Sequence, residues 1–182
     1  MKELNGIKYI ERLPVVSTEK TPLFVLIHGY GSNEEDLFSF AQDLPQNAHI
    51  ISVRALHDIV YGGYAWYDIN FVNNEKWMDE TQAIESRNKL VEFIDAIVQQ
   101  ENLDDANVTL MGFSQGAILS YAISLNNPEK IKNVAILSGY PEAKIIGDFD
   151  QSKDFSNLNF FVSHGTEAVS YTHLTLPTTP YV

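Results

Sequence analysis

Short apolar runs alternate along this chain with longer stretches in which apolar residues recur at helical spacing. Nearly continuous apolar runs of four or five residues are typical of strands that a sheet buries on both faces. They occur at residues 23–27, 49–53, 108–111, 134–137 and 159–162, and a weaker strand pattern covers residues 7–13. Strands that alternate with helices form parallel βαβ units, so we expect one α/β domain with a mostly parallel sheet and helices on both faces.

Two stretches away from the centre of the chain predict amphipathic helices. Ser32 and Glu35 form a capping-box pattern ahead of apolar residues at helical spacing, so a helix is expected there. A second helix is expected over residues 79–100, with Asp79 and Gln82 as capping residues. The predicted inward face of this second helix consists of Ile84, Val91, Ile94 and Val98.

The segment between Arg54 and Asp79 is long, aromatic-rich and without a clear period, so we expect it to be irregular. Loops of this length inside a compact domain are uncommon unless they shape a binding site. Its rings, including Trp66 and Tyr67, are equally compatible with a pocket wall and with a cover over the core.

The centre of the chain carries a G-x-S-x-G motif at residues 112–116, with Ser114 as its serine. The strand-like run at residues 108–111 precedes it, and a run of good helix formers at residues 117–125 follows. This context predicts a nucleophile elbow, a tight turn that lifts the serine hydroxyl clear of the sheet. The flanking glycines would let the helix and the strand approach each other without a side-chain clash.

Composition excludes several kinds of partner, nucleophile and location. The chain has 182 residues, which suits one domain, and its net charge of −12 argues against nucleic acid or an anionic membrane as the main partner. It has no cysteine, so any nucleophile must be an oxygen or a lysine. No apolar run approaches the length of a membrane span and no secretory signal is visible, so we expect no membrane insertion and a cytoplasmic location.

An attacking serine also needs donors for the negative charge that develops on the substrate oxygen. Two backbone amides stand at suitable turns: Gln115, directly after the serine, and Tyr30, in the glycine loop after the 23–27 strand. We expect both residues to act through their N–H groups, with side chains that are ordinary surface or pocket groups. The amino terminus of the following helix adds a favourable field.

Several segments, in order and with sensible spacing from residue 23 to residue 167, resemble the phospholipase/carboxylesterase family of small α/β-hydrolases. The matching segments are LIHGYGSNEEDLFSFA, ISVRA, GGYAWYDI, VTLMGFSQGA, AILSGY and VSHGTE. The resemblance implies an α/β-hydrolase fold, a Ser-Asp-His triad with Ser114 as nucleophile, and an oxyanion hole from the amides of Tyr30 and Gln115. It also implies hydrolysis of carboxylic esters or thioesters through an acyl-enzyme. We expect a small ester as substrate and no cofactor. Thioesterase or lysophospholipase activity and noncatalytic binding of an acyl ligand stay open as alternatives, and the oligomeric state is undetermined.

The end of the chain departs from the family pattern. Residues 168–182 contain no Asp, Glu, Lys or Arg, and residues 169–178 resemble a translated sequencing-library adapter. In the family the triad aspartate would stand at about Ala168, and the base histidine would follow the last strand. We therefore expect a hydrolase domain at residues 1–167 that lacks its last strand and helix, a non-native tail at residues 168–182, and a fragment that is inactive. His173 lies in that tail and receives no role.

The remaining titratable residues predict structural roles. His28 and His164 each precede a glycine at a strand end, where an imidazole hydrogen-bonded to its loop is the expected arrangement. Asp148, Asp150 and Asp154 are expected to form a solvated acidic loop. The histidines are scattered and no H-E-x-x-H motif occurs, so no metal site is predicted.

Overall fold

A central sheet organises the computed structural model, which describes residues 1–60, 62–72 and 75–165, with backbone alone at residues 70–72 and 75–77. Seven strands of the described residues form this sheet. They are β1 (Lys2–Leu4), β2 (Ile7–Arg12), β3 (Leu23–Ile27), β4 (His49–Val53), β9 (Val108–Phe113), β10 (Ile131–Leu137) and β11 (Asn159–Ser163). The numbers in between belong to four short strands: β5 (His57–Asp58), β6 (Tyr64–Ala65), β7 (Ile69–Val72) and β8 (Glu75–Met78).

The strand order is β1-β2-β4-β3-β9-β10-β11. The pairs β4–β3, β3–β9, β9–β10 and β10–β11 are parallel, whereas β1–β2 and β2–β4 are antiparallel. The expectation of a mostly parallel sheet is therefore confirmed, with β1 as an edge strand that the sequence pattern does not reveal. The carboxyl ends of β3, β9 and β10 come together at one edge of the sheet, which is where sites form in folds of this kind.

Helices cover the sheet unequally. On one face lie α1 (Glu80–Gln100), α2 (Gln115–Asn126) and the short α3 (Ala143–Ile146), packed on inward residues of the strands such as Val25 and Leu110. On the other face, among the described residues, a 3₁₀ helix at Leu37–Gln42 packs on Leu26 and Ile50.

The prediction of an α-helix capped by Ser32 and Glu35 is wrong, because a 3₁₀ helix without that cap forms there. Asp36 precedes the 3₁₀ helix without a side-chain cap bond, and the Ser32 hydroxyl donates instead to the Asp36 carboxylate at 2.7 Å. The backbone of Ser32 pairs with Tyr64 in an isolated β-bridge. Because that bridge holds Ser32 extended and away from the helix start, the hydroxyl cannot cap a helix with Glu35.

The second helix is confirmed, and its predicted inward face is right except at Ile84. Asp79 caps α1 by accepting from the Gln82 amide at 2.9 Å, as expected. The side chain of Gln82 does not take part in the cap, because it bonds to Asp68. Of the residues predicted to face inward, Ile94 is buried, and Val91 and Val98 pack partly buried against the core. Ile84, however, is 36% exposed. The face that packs on the sheet consists of Ala83, Ser86, Leu90, Phe93, Ile94 and Ile97. The pattern of apolar residues does not reveal this face, because it includes the polar Ser86. Ser86 can be buried since its hydroxyl donates to the carbonyl of Trp66 at 2.5 Å.

The aromatic-rich segment is more regular than its sequence predicts. It contains two antiparallel pairs, β5 with β6 and β7 with β8. Trp66 and Tyr67 are buried in the main core, so these two rings cover the core and are not an exposed pocket wall. No helix among the described residues is long and apolar enough to cross a bilayer.

Candidate active site

Ser114 occupies the turn between β9 and α2, in a strained backbone conformation with φ 51° and ψ −112°. Non-glycine residues seldom adopt positive φ, and such outliers concentrate at functional sites. The Ser114 amide donates to the Leu137 carbonyl at 2.9 Å, which fastens the turn to the end of β10. The strand, turn and helix expected around the G-x-S-x-G motif are thus present.

The glycines of the motif are required by close packing. A Cβ on Gly112 would overlap the carbonyl oxygen of Gly116, and a Cβ on Gly116 would overlap that of Ile27. The start of α2 therefore lies directly against the ends of both β9 and β3. This contact brings Ser114 beside the glycine loop, residues 29–32, that follows β3.

The glycine loop faces the serine side chain. A Cβ on Gly29 would lie 3.2 Å from the Cβ of Ser114 and 3.0 Å from the Phe113 ring, so only glycine fits there without displacing a neighbour. Ser114 itself is half-buried at this junction. The loop and the elbow are therefore adjacent, as an oxyanion hole built from both requires.

The two amides expected to form that hole are placed at these two turns. Gln115 is the first residue of α2 and Tyr30 lies in the glycine loop. Within the described residues no acceptor takes the N–H of either one, whereas the next amide of the loop, that of Gly31, donates to Tyr64 at 2.9 Å. Two free donors beside a serine hydroxyl can hold a negatively charged oxygen.

The side chain of Gln115 departs from expectation. It is 1% exposed, and is neither a surface group nor an ordinary pocket group. Its Oε1 accepts from the Trp66 amide at 3.1 Å and its Nε2 donates to the Tyr67 carbonyl at 2.7 Å. Sequence reasoning missed this role because it depends on two backbone groups that lie 48 and 49 residues away.

His28 is a structural imidazole, as expected. Its Nε2 accepts from the Ala55 amide at 3.1 Å, so its Nδ1 carries the proton and donates to the Gly29 carbonyl at 2.7 Å. Burial lowers the pKa of His28, which keeps this neutral form. Because both ring nitrogens are engaged, His28 cannot take a proton from Ser114.

An ion pair just after the glycine loop was not anticipated from the sequence. Arg54, just after β4, donates to Glu34 through Nε at 2.6 Å and through Nη2 at 2.5 Å. The Glu34 side chain is 3% exposed, and the guanidinium lies 4.4 Å from the centre of the Tyr64 ring. The hydrogen bonds from Arg54 lower the pKa of Glu34, so this carboxylate is ionised at neutral pH.

The other described histidines do not reach the serine. His49 pairs with Glu11 at 3.2 Å, and within the described residues no hydrogen bond joins Ser114 to His57 or His164. His164 is exposed just after β11, and its structural role stays a prediction. His173 and the whole segment 168–182 lie outside the described residues.

The acidic loop behaves as expected. Asp150 and Asp154 cap local turns by accepting from Ser152 and Ser156, which lowers the pKa of both carboxyls. Within the part of the chain that the structure describes, no group of three or more His, Cys, Asp or Glu residues is placed to hold a metal ion.

Comparison with known proteins agrees with this geometry. The phospholipase/carboxylesterase family model matches residues 12–172. Acyl-protein thioesterase 1 of Saccharomyces cerevisiae is 29% identical over 160 residues, covering 78% of this chain and 66% of that protein. Acyl-protein thioesterase 1 homolog 1 of Dictyostelium discoideum is 32% identical over 133 residues, covering 68% of this chain and 59% of that protein.

Solved structures agree on the fold. The Bacillus cereus carboxylesterase superposes with a TM-score of 0.66 at 21% identity, covering 88% of this chain and 71% of that one. At this identity the likeness speaks for the fold alone, which is that of an α/β-hydrolase. The family match spans most of the sequence and includes the elbow and the glycine loop. The chain therefore belongs to the phospholipase/carboxylesterase family.

Proposed function

We propose that this protein is a serine hydrolase that cleaves carboxylic esters through an acyl-enzyme, with Ser114 as nucleophile and the amides of Tyr30 and Gln115 as oxyanion hole. One observation carries the proposal. The strained turn at Ser114 abuts the glycine loop, and the two adjacent amides have no other acceptor among the described residues. Backbone strain at Ser114 costs stability, and such strain concentrates at functional sites, so we take it as a sign of a catalytic role.

The reaction follows from this arrangement. The Ser114 oxygen forms a bond to the ester carbonyl carbon while its proton passes to a base. The carbonyl oxygen becomes an oxyanion that the two amides hold, and removing one such donor typically costs about 10²–10³-fold in kcat. When the intermediate collapses, the bond to the alcohol oxygen breaks, the alcohol leaves with the proton, and water then releases the acid from the serine.

The base is part of the proposal and comes from the family resemblance. The proton acceptor would be a histidine oriented by an aspartate, both placed after the serine in chain order, as this fold requires. The chain spans 59% and 66% of the two thioesterase relatives' own lengths, which leaves room for both residues in a longer protein. Residues 1–167 would then be the hydrolase portion. The 182-residue chain alone would have little activity, because loss of the triad base lowers kcat by on the order of a millionfold.

The substrate class and the cellular location are also part of the proposal. A small ester is the expected substrate, and a cytoplasmic location is carried over from the sequence argument. Two relatives bear the name acyl-protein thioesterase, so a thioester is the second candidate substrate. The attack and the oxyanion would be the same for either one, and only the leaving group would differ.

The decisive experiment assays the full-length gene product with a short-chain p-nitrophenyl ester and with a matched acyl thioester. Ser114→Ala should abolish turnover of whichever substrate is used. Ser138→Ala is the matched control, because Ser138 also has positive φ, 54°, at the end of a neighbouring strand, and it should leave turnover unchanged.

Three outcomes count against the proposal. Turnover that survives Ser114→Ala would remove the nucleophile. Acyl-ligand binding without turnover would favour a noncatalytic relative. Full activity from the 182-residue chain would contradict the placement of the base beyond the described residues.

A further inference from the structure

A four-residue segment at positions 64–67, here called the brace, contacts both sources of the proposed oxyanion hole. Its attachment to the elbow runs through the side chain of Gln115. The Gln115 Oε1 accepts from the Trp66 amide at 3.1 Å and Nε2 donates to the Tyr67 carbonyl at 2.7 Å. Gln115 therefore supplies one proposed donor with its backbone amide and binds the brace with its side chain.

The brace holds the glycine loop from the other side. The Gly31 amide donates to the Tyr64 carbonyl at 2.9 Å, and the Tyr64 amide donates to the Ser32 carbonyl at 2.8 Å. The Trp66 indole N–H donates to the carbonyl of His28 at 2.9 Å, immediately before the loop. These three bonds bracket Tyr30, whose amide is the second proposed donor.

Packing leaves the brace little freedom to shift. Trp66 and Gln115 are both almost completely buried. Gly63, directly before the brace, lies so close that a Cβ there would overlap the carbonyl of Gly31. A displacement of the brace relative to the elbow would therefore carry the glycine loop with it.

We propose that the Gln115 carboxamide is a positioning group that sets the separation of the Tyr30 and Gln115 amides, acting through the brace. The inference rests on the proposed function, because the two amides matter only if an oxyanion forms between them. It gives the side chain a role separate from that of its own backbone N–H.

The chemistry of the contact selects a carboxamide. The brace presents a donor, the Trp66 amide, and an acceptor, the Tyr67 carbonyl, to the same side chain. Glutamine supplies one acceptor and one donor at the required reach. Glutamate would place an oxygen against the Tyr67 carbonyl, and methionine would satisfy neither group although it has a similar length.

The test compares Gln115→Met with Ser86→Ala in the full-length gene product. Ser86 is the matched control, because its buried hydroxyl bonds the carbonyl of the same Trp66 but ties it to α1 and away from the elbow. Gln115→Met should lower kcat and kcat/KM together by roughly 10–100-fold with little change in KM, because a small misplacement of oxyanion donors is felt in the transition state. Ser86→Ala should stay within about three-fold of wild type in kcat, since both Gln115 bonds remain.

A second variant and a second readout keep the inference testable if Gln115→Met folds poorly. Trp66→Phe removes the indole bond to His28 and keeps a ring in the core, and it should lower kcat with unchanged KM. Hydrogen exchange at the Gly31 amide reports the loop directly. It should accelerate in both variants and stay near the wild-type rate in Ser86→Ala.

The outcomes separate this inference from the proposed function. If the wild type turns over the ester, Ser114→Ala abolishes turnover, and Gln115→Met behaves like Ser86→Ala in both kcat and exchange, the positioning role is wrong and the function stands. If the wild type does not turn over any ester or thioester, the proposed function fails. Faster hydrogen exchange at the Gly31 amide in Gln115→Met would still show that the Gln115 side chain holds the glycine loop through the brace.

Discussion

Replacing Glu34 by glutamine tests how much the ion pair between Glu34 and Arg54 stabilises the folded protein. Glu34 accepts two hydrogen bonds from Arg54, at 2.6 and 2.5 Å, with the carboxylate side chain 3% and the guanidinium side chain 21% exposed. Glu34→Gln turns one charge-assisted acceptor into an NH₂ group that faces an N–H of Arg54. Hydrogen bonds to charged groups are worth about 1.5–3 kcal/mol each, and removing one partner of a buried pair costs up to about 5 kcal/mol. Because Arg54 keeps partial access to water, we expect a loss of about 2–4 kcal/mol in the free energy of unfolding.

The assay is urea and thermal unfolding of the full-length gene product and its variants. For a chain of this size the expected loss corresponds to a fall in Tm of roughly 5–15 °C. Glu80→Gln is the control, because Glu80 pairs with Lys144 at 2.5 Å on the surface and should show no resolvable change. A double-mutant cycle with Arg54→Met should give a coupling energy of about 1–3 kcal/mol.

The pH dependence of this stability has a definite sign. Arg54 lowers the pKa of Glu34 in the folded protein below its value in the unfolded chain. The stabilisation is therefore complete above the unfolded-state pKa of about 4.3 and disappears as pH falls through the lower folded-state pKa. The gap between wild type and Glu34→Gln should narrow as the pH is taken below about 4. Equal stability losses in Glu34→Gln and Glu80→Gln, or a gap that widens in acid, would refute the reasoning.

Two further predictions concern packing. Gly116→Ala places a methyl group onto the carbonyl oxygen of Ile27 and should cost about 3 kcal/mol in the free energy of unfolding, together with most of the proposed ester turnover. Gly165→Ala should be neutral, because a Cβ there would meet nothing within 4 Å among the described residues. Similar losses in the two variants would therefore contradict this account of the elbow. On α1, Ala83→Lys should destabilise by about 3 kcal/mol or more, whereas Ile84→Lys should change stability little. If Ile84→Lys lowered the urea midpoint more than Ala83→Lys, Ile84 would face the core as periodicity predicted.

The sequence predicts the parts of this fold that depend on local pattern. The apolar runs that became β3, β4, β9, β10 and β11 are continuous because a covered parallel sheet buries both faces of its strands. The serine turn is equally local, since G-x-S-x-G between a strand and a helix leaves few other conformations. The adjacency of Gly29 and Ser114 then follows from parallel pairing of β3 with β9.

The sequence fails where a distant partner decides the outcome. Ser32 carries a capping signal, yet its pairing with Tyr64 overrides the helix start. Ser86 faces the core because the carbonyl of Trp66 satisfies it, which shifts the inward side of α1 away from Ile84. Gln115 carries no sequence signal for its side-chain role, because both of its partners are backbone groups whose positions only the fold determines.

The central claim is that the hydroxyl of Ser114 is the nucleophile and faces two amides that stabilise an oxyanion. The most direct measurement treats the full-length gene product with a fluorophosphonate, whose tetrahedral adduct imitates the oxyanion, and locates the added mass by peptide mass spectrometry. The account predicts one adduct per chain, on Ser114, with ester turnover lost in proportion to labelling. Labelling at another residue, or turnover that persists when Ser114 is fully labelled, would contradict it.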